Sequence, residues 1–343
     1  MSAEMTRMRR EILEIPQAVA RLLDEGAPAL ERIAAAARAA DPRFLVTVAR
    51  GSSDHACTFL KYAFELEMGL PVASIGPSIA SIYGAKLRLA DSLCLAVSQS
   101  GKSPDIVAMA KAAGQGGAMT VAVTNDPASP LAAVSDHTID IHAGAELSVA
   151  ATKTFVTSAV SILLLLAKWK GDGALLSALE ALPDRLAQAA QLDWPELRAA
   201  IGAKQSLYTL GRGPSWAMSN EAALKFKETC QIHAESYSAA EVLHGPVSII
   251  DEGFPVLCFA AGDRAEPSVA AMADDLAAKG ARVFVTSDLP ARAARLPRIG
   301  TAHPLTDAVS LIVSFYTMVE RVAADRGVNP DMPRHLRKVT ETV

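Results

Sequence analysis

Residues 44–53 read FLVTVARGSS, and residues 206–215 read SLYTLGRGPS. In both runs a short β-rich stretch leads into an Arg-Gly pair, and the two pairs lie 162 residues apart. Two further strand-like runs return at the same spacing: CLAV at 94–97 with VLCF at 256–259, and VAVT at 121–124 with VFVT at 283–286. Three matches at one offset indicate an internal duplication.

Short apolar runs of this kind alternate with longer helical patterns along the whole chain. That alternation is typical of βαβ units, in which parallel strands form a sheet that helices cover. Since the unit occurs twice, the sequence predicts an α/β fold of two tandem doubly wound parallel-sheet domains that are related by internal duplication.

The repeat changes its spacing in its last part. The run AVS at 159–161 matches AVS at 308–310 at an offset of 149, so the first copy holds about thirteen extra residues around 144–153. Such an insertion suggests a loop recruited for ligand binding, and the alternative is a surface insertion without a role. We expect a helical N-terminal arm at 1–34, a first sheet domain at 35–170, a helical linker at 171–196, a second sheet domain at 197–330 and a C-terminal tail at 331–343.

The composition is that of a globular protein, and 343 residues are enough for two domains that each bury a core. Half of the residues are apolar and a fifth are charged, which excludes a disordered or collagen-like chain. A net charge of −4 without runs of Lys and Arg argues against binding to nucleic acid or to anionic membranes. A phosphorylated partner held in a small local pocket is compatible with this charge.

Cysteine usage and the apolar runs bear on location. The four cysteines form no C-x-x-C pair, which favours buried thiols in a reducing compartment over a zinc site or disulfides. The longest apolar run, at 159–167, is too short to span a bilayer, and the charged N-terminus holds no signal-peptide core. We therefore expect a cytoplasmic protein with no membrane role.

A serine-rich loop follows the strand-like run at 93–97. Residues 98–105 read SQSGKSPD, in which Ser103 is a good N-cap and Pro104 a good first helical residue. The free N–H groups of a helix start attract anions, and the side chains of Ser98, Gln99 and Ser100 can surround phosphate oxygens. The alternative is a βα turn without a ligand. The loop matches neither a dinucleotide fingerprint nor a Walker motif, which disfavours nucleotide binding.

A second strand-to-helix turn in the first half reads GSSD at 51–54, and the hydroxyls of Ser52 and Ser53 can meet the same ligand from the neighbouring strand. Taken alone, it is more typical of a capped turn than of a site. The second half reads AAGD at 260–263, where the first half has its serine loop. Only the first half is therefore equipped to bind a phosphate.

The second half concentrates ionisable side chains instead: Glu221, Lys225, Lys227, Glu228, His233, Glu235, Glu241 and His244. Glu221, Lys225 and Glu228 are spaced i, i+4 and i+7, so on a helix they share one face. By itself this pattern indicates a solvent-exposed face with salt bridges. His244 argues for chemistry, because it precedes a Gly-Pro break and a histidine can carry protons near neutral pH.

These motifs together resemble the SIS (sugar isomerase) domain family, most closely the isomerase half of glucosamine-6-phosphate synthase and the stand-alone aminosugar-phosphate deaminases. The resemblance covers nearly the whole chain, and it implies flavodoxin-like SIS domains. The matching runs, in order, are GSS at 51–53, SQSG at 98–101, VAATK at 149–153, GRG at 211–213, ALKFKE at 223–228, HAE at 233–235, HGP at 244–246 and P-R-x-L-x-K at 333–338.

The resemblance also implies residue roles. The sugar phosphate would be held by Ser53, Ser98, Gln99, Ser100 and Ser103, with Val149 and Ala151 lining the pocket. Glu228 matches the base that moves a proton between C1 and C2, and His244 matches the residue that assists ring opening. Lys338 corresponds to a tail lysine that contacts the open-chain sugar and can form a Schiff base with a ketose, so the tail at 331–343 would close the active site. Lys225 and Glu235 would be supporting charges.

Because the family's histidine reaches the site of a neighbouring subunit, the resemblance also implies a homodimer with shared sites. Two departures bear on activity. Ala151 and Ser103 stand where the synthase pattern has a serine and a threonine, which leaves the choice of sugar open. The chain begins Met1-Ser2-Ala3, without the cysteine that attacks glutamine in the synthase, so we expect no glutamine hydrolysis by that route.

The resemblance thus implies an enzyme that converts glucosamine 6-phosphate to fructose 6-phosphate and ammonia, or runs the reverse reaction as an isomerizing transaminase does, with no metal or redox cofactor. Two enzymatic alternatives share the phosphate site, namely a fructosamine-6-phosphate deglycase and a galactosamine-6-phosphate deaminase/isomerase. An alternative of another class is a SIS protein that senses a phosphosugar without turning it over. The joint presence of Glu228, His244 and Lys338 favours the enzyme.

Overall fold

The structure is a computed structural model that describes residues 5–338. Its strands are β1 (Phe44–Val48), β2 (Val72–Ser74), β3 (Ser92–Val97), β4 (Met119–Thr124), β5 (His137–Asp140), β6 (Ser206–Gly211), β7 (His233–Ser238), β8 (Pro255–Cys258), β9 (Arg282–Val285) and β10 (Ala294–Arg295). Its helices are α1 (Arg7–Leu13), α2 (Ile15–Glu25), α3 (Ala27–Ala40), α4 (Ser52–Met68), α5 (Ser78–Ser81), α6 (Pro104–Gln115), α7 (Pro130–Ala133), α8 (Lys153–Lys170), α9 (Gly173–Glu180), α10 (Leu182–Ala189), α11 (Pro195–Ile201), α12 (Pro214–Cys230), α13 (Glu266–Ala278) and α14 (Pro304–Asp325), with 3₁₀ turns at Glu241–Leu243 and Pro246–Ile249.

The strands form two parallel five-stranded sheets. The first has the order β2-β1-β3-β4-β5, and the second has the order β7-β6-β8-β9-β10. Counted within each half, both orders are 2-1-3-4-5, which is the doubly wound, flavodoxin-like arrangement. The structure therefore confirms the predicted α/β fold and the internal duplication.

Contacts divide the chain into two units. Of the described residues, the first unit holds 17–146, 153–180 and 337–338, and it contains the first sheet. The second unit holds residues 5–16, the short segment 147–152 and residues 181–336, and it contains the second sheet. The segment around 144–153, in which the two copies differ, thus contributes residues to both units.

The first unit is built around a strand that is buried along its whole length and a helix that is buried along nearly all of its length. Every residue of β3 is buried, because helices cover both faces of a parallel sheet. Helix α8 is buried at almost every position rather than on one stripe, which identifies it as a core helix. Its Trp169 ring packs edge-on against Phe64 of α4, with the ring centroids 5.6 Å apart.

The second unit repeats this plan with helices α12 and α14. Phe315 of α14 packs edge-on between Phe226 of α12 and Phe259, with ring centroids 5.2 and 5.8 Å away. Trp194 is fully buried and its indole N–H donates to the carbonyl of Pro297 at 3.0 Å. The contact between Phe226 and Phe315 places α12 and α14 side by side, which matters for the ionisable residues of α12.

All four cysteines are buried free thiols, as the sequence predicts. Burial raises the pKa of Cys94 and Cys230 to about 12, so neither is a thiolate at neutral pH. Within residues 5–338, none of the helices combines the length and the apolar character that crossing a bilayer requires.

Candidate functional site

The two serine-bearing turns of the first unit leave the same edge of the sheet. Strands β1 and β3 are neighbours and run parallel, with Val48 paired to Ala96 near their carboxyl ends. The strand order turns back at this pair, which is where doubly wound sheets bind ligands. The structure therefore brings Ser52 and Ser53, at the start of α4, next to the loop that begins at Ser98.

Glycine is required in this loop. Gly101 has φ +61, and a Cβ built on it would lie 2.1 Å from the Oγ of Ser129. The loop is also held by its own serines, because the Ser98 hydroxyl accepts from the Gly101 N–H at 3.2 Å and the Ser100 hydroxyl accepts from the Lys102 N–H at 3.3 Å. Both serine side chains therefore help to shape the loop that presents them.

Helix α6 begins at Pro104, and Ser103 occupies the N-cap position as predicted. Ser103 is half-buried, and its hydroxyl makes no capping hydrogen bond to the start of the helix. The buried Asp105 in the first helical turn pairs with Arg50, with Nε and Oδ2 2.7 Å apart. Arg50 comes from the repeated Arg-Gly pair, and it ties the end of β1 to the start of α6, a role that the sequence analysis did not assign.

In the second unit, four side chains form a hydrogen-bonded chain between α12 and α14. The hydroxyl of Tyr316 donates to Glu221 Oε1 at 3.1 Å, and the Lys225 ammonium lies 3.2 Å from that oxygen and 2.5 Å from Glu228 Oε2. Tyr316, Glu221 and Lys225 are fully buried, whereas the Glu228 side chain is 19% exposed. The chain of polar groups thus has one end that solvent or a ligand can reach.

The structure confirms the common face and its salt bridges, but the expectation that this face is exposed to solvent is wrong. Helix α12 packs with this face against α14, where Tyr316 meets it. Burial alone would lower the pKa of the Lys225 ammonium, but the carboxylates of Glu221 and Glu228 raise it above its ordinary value. Lys225 is therefore a permanent cation that holds the Glu228 carboxylate in one orientation, as a general base requires.

His244 and Glu235 occupy other parts of the second unit. His244 is exposed and follows the 3₁₀ turn Glu241–Leu243. Glu235 is half-buried on β7 and accepts a hydrogen bond from the Tyr237 hydroxyl at 2.7 Å. That bond raises the pKa of Tyr237 to about 12. Glu235 thus pairs with a tyrosine, and its supporting role remains a prediction.

The inserted segment carries a buried carboxylate that the sequence analysis did not single out. Glu146 accepts hydrogen bonds from the Thr154 N–H at 3.0 Å and the Thr154 hydroxyl at 2.7 Å, and the Lys338 ammonium lies 2.8 Å from its Oε2. Burial alone would raise the pKa of Glu146, but Lys338 and Thr154 bring it below its ordinary value. A single acidic residue among the small and apolar residues of an insertion was the available signal.

Hydrogen bonds and an ion pair hold the described part of the tail, and its role in closing the active site remains a prediction. The carboxylate of Asp331 accepts from the backbone N–H groups of Arg7 and Met8 at 2.7 and 2.9 Å. Seven residues later Lys338 reaches Glu146 within the first unit. Residues 339–343 of the predicted tail lie outside the described residues.

Val149 and Ala151 are half-buried in the segment that belongs to the second unit. Glu11 of α1 holds this segment, because its buried carboxylate accepts from the backbone N–H groups of Leu147 and Ser148. Neither α1 nor Glu11 was assigned a role from the sequence. That Val149 and Ala151 line a sugar phosphate pocket remains a prediction. Across residues 5–338, no three His, Cys, Asp or Glu side chains are grouped so that they could hold a metal ion.

Comparisons with known proteins agree with this architecture. The SIS domain model matches residues 40–168 and 201–315. An isomerizing glutamine--fructose-6-phosphate aminotransferase from Methanothermobacter thermautotrophicus is 32% identical over 342 residues, which cover 96% of this chain and 56% of the relative. A similar enzyme from Sulfolobus acidocaldarius is also 32% identical, over 86% of this chain and 49% of the relative. The chain thus spans about half the length of these curated relatives.

A solved structure from Silicibacter pomeroyi, described as a phosphosugar isomerase, is 67% identical, covers 95% of this chain and all of that one, and superposes with a TM-score of 0.93. Both sheets of the protein lie within the two matched segments, and the relatives align across nearly the whole chain. The chain belongs to the SIS domain family, with one SIS domain in each half, and it is homologous to the isomerase part of the aminotransferases.

Proposed function

We propose that this protein is a phosphosugar isomerase that acts as an aminosugar-phosphate deaminase, converting glucosamine 6-phosphate to fructose 6-phosphate and ammonia. The observation that carries the proposal is the partly exposed carboxylate of Glu228 at the end of a buried chain of polar groups. A fold does not need a charged chain of this kind in its core, whereas proton transfer needs a fixed and accessible base.

The phosphate would bind at the serine loop of the first unit. The N–H groups at the start of α6 and the side chains of Ser52, Ser53, Ser98, Gln99, Ser100 and Ser103 supply donors for phosphate oxygens. The Ser103 hydroxyl makes no capping bond, which leaves it available to a ligand. The names of the relatives support a sugar phosphate, since they denote a fructose-6-phosphate aminotransferase and a phosphosugar isomerase.

The chemistry would proceed by proton transfer. His244 assists ring opening, and Glu228 takes the proton from C2 of the open-chain amino aldose while the aldehyde oxygen gains a proton, giving an enolamine. Glu228 returns the proton to C1, which leaves an imine at C2. Water adds to the imine carbon and ammonia leaves, so that fructose 6-phosphate remains. Positioned acid and base groups lower these barriers, and Lys338 would contact the open-chain sugar.

The direct test measures ammonia and fructose 6-phosphate from glucosamine 6-phosphate, with the N-acetylated and galacto compounds in parallel. We expect both products in equal amounts from the gluco compound alone. Turnover of the galacto compound alone would shift the substrate to galactosamine 6-phosphate. Saturable binding of a sugar phosphate without turnover of any of these compounds would contradict the proposed deaminase activity. The remaining candidates would then be a phosphosugar sensor and a deglycase.

Two variants separate the base from the phosphate loop. We expect Glu228→Gln to lower kcat by about a thousandfold or more while phosphosugar affinity stays within about twofold, because a general base acts only on the chemical step. Ser100→Ala should instead weaken binding by about tenfold, as loss of one hydrogen bond to a charged group does. Full activity of Glu228→Gln would exclude it as the base.

We also propose that the protein works as a homodimer in which His244 completes the site of the neighbouring subunit. The exposed position of His244, beside the exposed apolar side chains of Leu243 and Ile249, supports a surface that another chain covers. Mixing inactive Glu228→Gln and His244→Ala chains under conditions that exchange subunits should restore activity, because one site in a mixed dimer has both residues. An inactive mixture of proven heterodimers would contradict sharing.

A further inference from the structure

Glu146 is a fully buried carboxylate in the inserted segment. A buried charge is costly unless it is paired and hydrogen-bonded. Glu146 meets both conditions, since it caps the start of α8 through Thr154 and pairs with Lys338. The buried Lys153 donates to the carbonyl of Ala145 at 2.7 Å, which fixes the backbone just before Glu146.

The duplicated half shows how the same kind of helix start is built without a charge. Helix α14 corresponds to α8, and the Nδ1 atom of His303 accepts from the Leu305 N–H at its start, at 3.2 Å. A side chain at the N-cap is therefore sufficient to cap this helix. In the first half, the cap is a carboxylate that comes from the inserted segment and reaches the tail as well. Both helix starts are capped by a side chain, but only the cap of α8 also binds a second group. Compared with His303, Glu146 therefore adds an ion-pair partner for Lys338.

We propose that Glu146 is a positioning residue that holds the Lys338 ammonium at a fixed point of the first unit. This inference rests on the proposed function, in which Lys338 contacts the open-chain sugar. The Lys338 side chain is 24% exposed, whereas Glu146 is fully buried, so the ammonium is anchored from the protein side and keeps an open side for a ligand. The inserted segment thereby serves the reaction through the tail.

The two partners differ in how firmly they are held. If Lys338 moves, Glu146 keeps the Thr154 N–H and hydroxyl, and the start of α8 favours its negative charge. If Glu146 is neutralised, Lys338 loses its anchoring charge. Glu146 is therefore the fixed partner and Lys338 the one that is positioned.

A double-mutant cycle tests this relation in the full chain. Glu146→Gln keeps an oxygen for the Thr154 N–H but removes the charge, and Lys338→Met removes the ammonium. We expect Glu146→Gln to lower kcat/KM for glucosamine 6-phosphate by about tenfold, and Lys338→Met to lower it further. The double variant should match Lys338→Met, because a residue that acts only through another adds nothing once that other is gone. Additive losses would overturn the inference.

Two controls address a merely structural role. Thr154→Val removes one hydrogen bond to Glu146 and leaves the ion pair. It should therefore lower the melting temperature while kcat/KM stays close to that of the wild type. Glu67→Gln removes the surface pair with Lys170, which lies 2.6 Å away in the same unit, and should change neither. A loss of kcat/KM in Thr154→Val as large as that in Glu146→Gln would assign Glu146 to helix capping alone.

Hydrogen exchange of residues 331–338 gives a readout that is independent of activity. Glu146→Gln and Lys338→Met should accelerate exchange in this segment equally, and the double variant should go no further. Unchanged exchange in Glu146→Gln would overturn the anchor itself. If the wild-type chain turned over no aminosugar phosphate, the proposed function would fail while this readout still tested the anchor. Wild-type turnover together with additive losses would overturn only the inference.

Discussion

At the scale of single residues, the shape of the serine-rich loop at 98–105 depends on Gly101. An alanine there would have to adopt φ near +61, and its Cβ would meet Ser129 Oγ at 2.1 Å. We expect Gly101→Ala to lower the free energy of unfolding by about 2–4 kcal/mol, the sum of left-handed strain and a steric clash. Sugar phosphate binding should be lost with it, because the loop cannot keep its shape. Calorimetric titration and urea unfolding measure both effects.

Gly171 supplies the matched control, since it has φ +73 and nothing within 4 Å of a built Cβ. Gly171→Ala should cost only the conformational strain, about 1 kcal/mol, and leave the affinity for the sugar phosphate as it is. Equal behaviour of the two variants would mean that the contact with Ser129 does not shape the loop.

At the scale of an element, helix α12 depends on the cation in its buried face. Lys225→Met would leave the Glu221 carboxylate buried without its cation, and loss of one partner of a buried pair costs about 3–5 kcal/mol. Urea unfolding should show that loss. The double variant Glu221→Gln with Lys225→Met should regain a large part of it, because no unpaired buried carboxylate remains at position 221. A double variant less stable than Lys225→Met would contradict this account.

The pKa of Lys225 sets the pH range of this contribution. Since Glu221 and Glu228 raise the folded-state pKa above the unfolded value near 10.5, the pair stabilises the fold fully below that value. The contribution is lost only as the pH rises through the folded-state pKa. The stability difference between wild type and the double variant Glu221→Gln with Lys225→Met, which has no buried carboxylate at position 221 to titrate, should therefore be constant between pH 6 and 9.

The helices and strands were predictable from the sequence. Of the buried chain of polar groups on α12, the sequence predicted the shared face but not its burial. Strand runs, the Pro104 helix start and the face shared by Glu221, Lys225 and Glu228 follow from local spacing. Burial of that face depends on α14, whose Tyr316 lies 95 residues away in the chain. The contact between Glu146 and Lys338 was not predicted for the same reason, because the two residues lie 192 positions apart in the chain. A periodicity reports which residues share a face, and only the tertiary fold decides what covers it.

At the scale of the whole molecule, the two sheets have the same strand order but have diverged at their ligand edges. Gly51 and Gly213 share nearly the same backbone conformation, with φ 57 and ψ −134 against φ 62 and ψ −139. In the second unit, however, the Gly262 N–H donates to the Asp307 carboxylate at 3.3 Å. Asp263 lies in the same loop, where its carboxylate accepts a hydrogen bond from the Ala265 N–H. A phosphate there would meet carboxylates instead of serine hydroxyls.

This asymmetry predicts the binding stoichiometry. Although the chain contains two sheets of one topology, we expect one glucosamine 6-phosphate per chain, because carboxylates occupy the place in the second unit that a phosphate would need. Calorimetric titration of the wild type measures the ratio directly, with Glu228→Gln used to suppress turnover during the titration. Asp263→Asn should leave both the ratio and the affinity unchanged, whereas Ser100→Ala should weaken the single site. Two equivalents per chain would show that the second unit has kept a phosphate site, and the divergence of the loops would then need another cause.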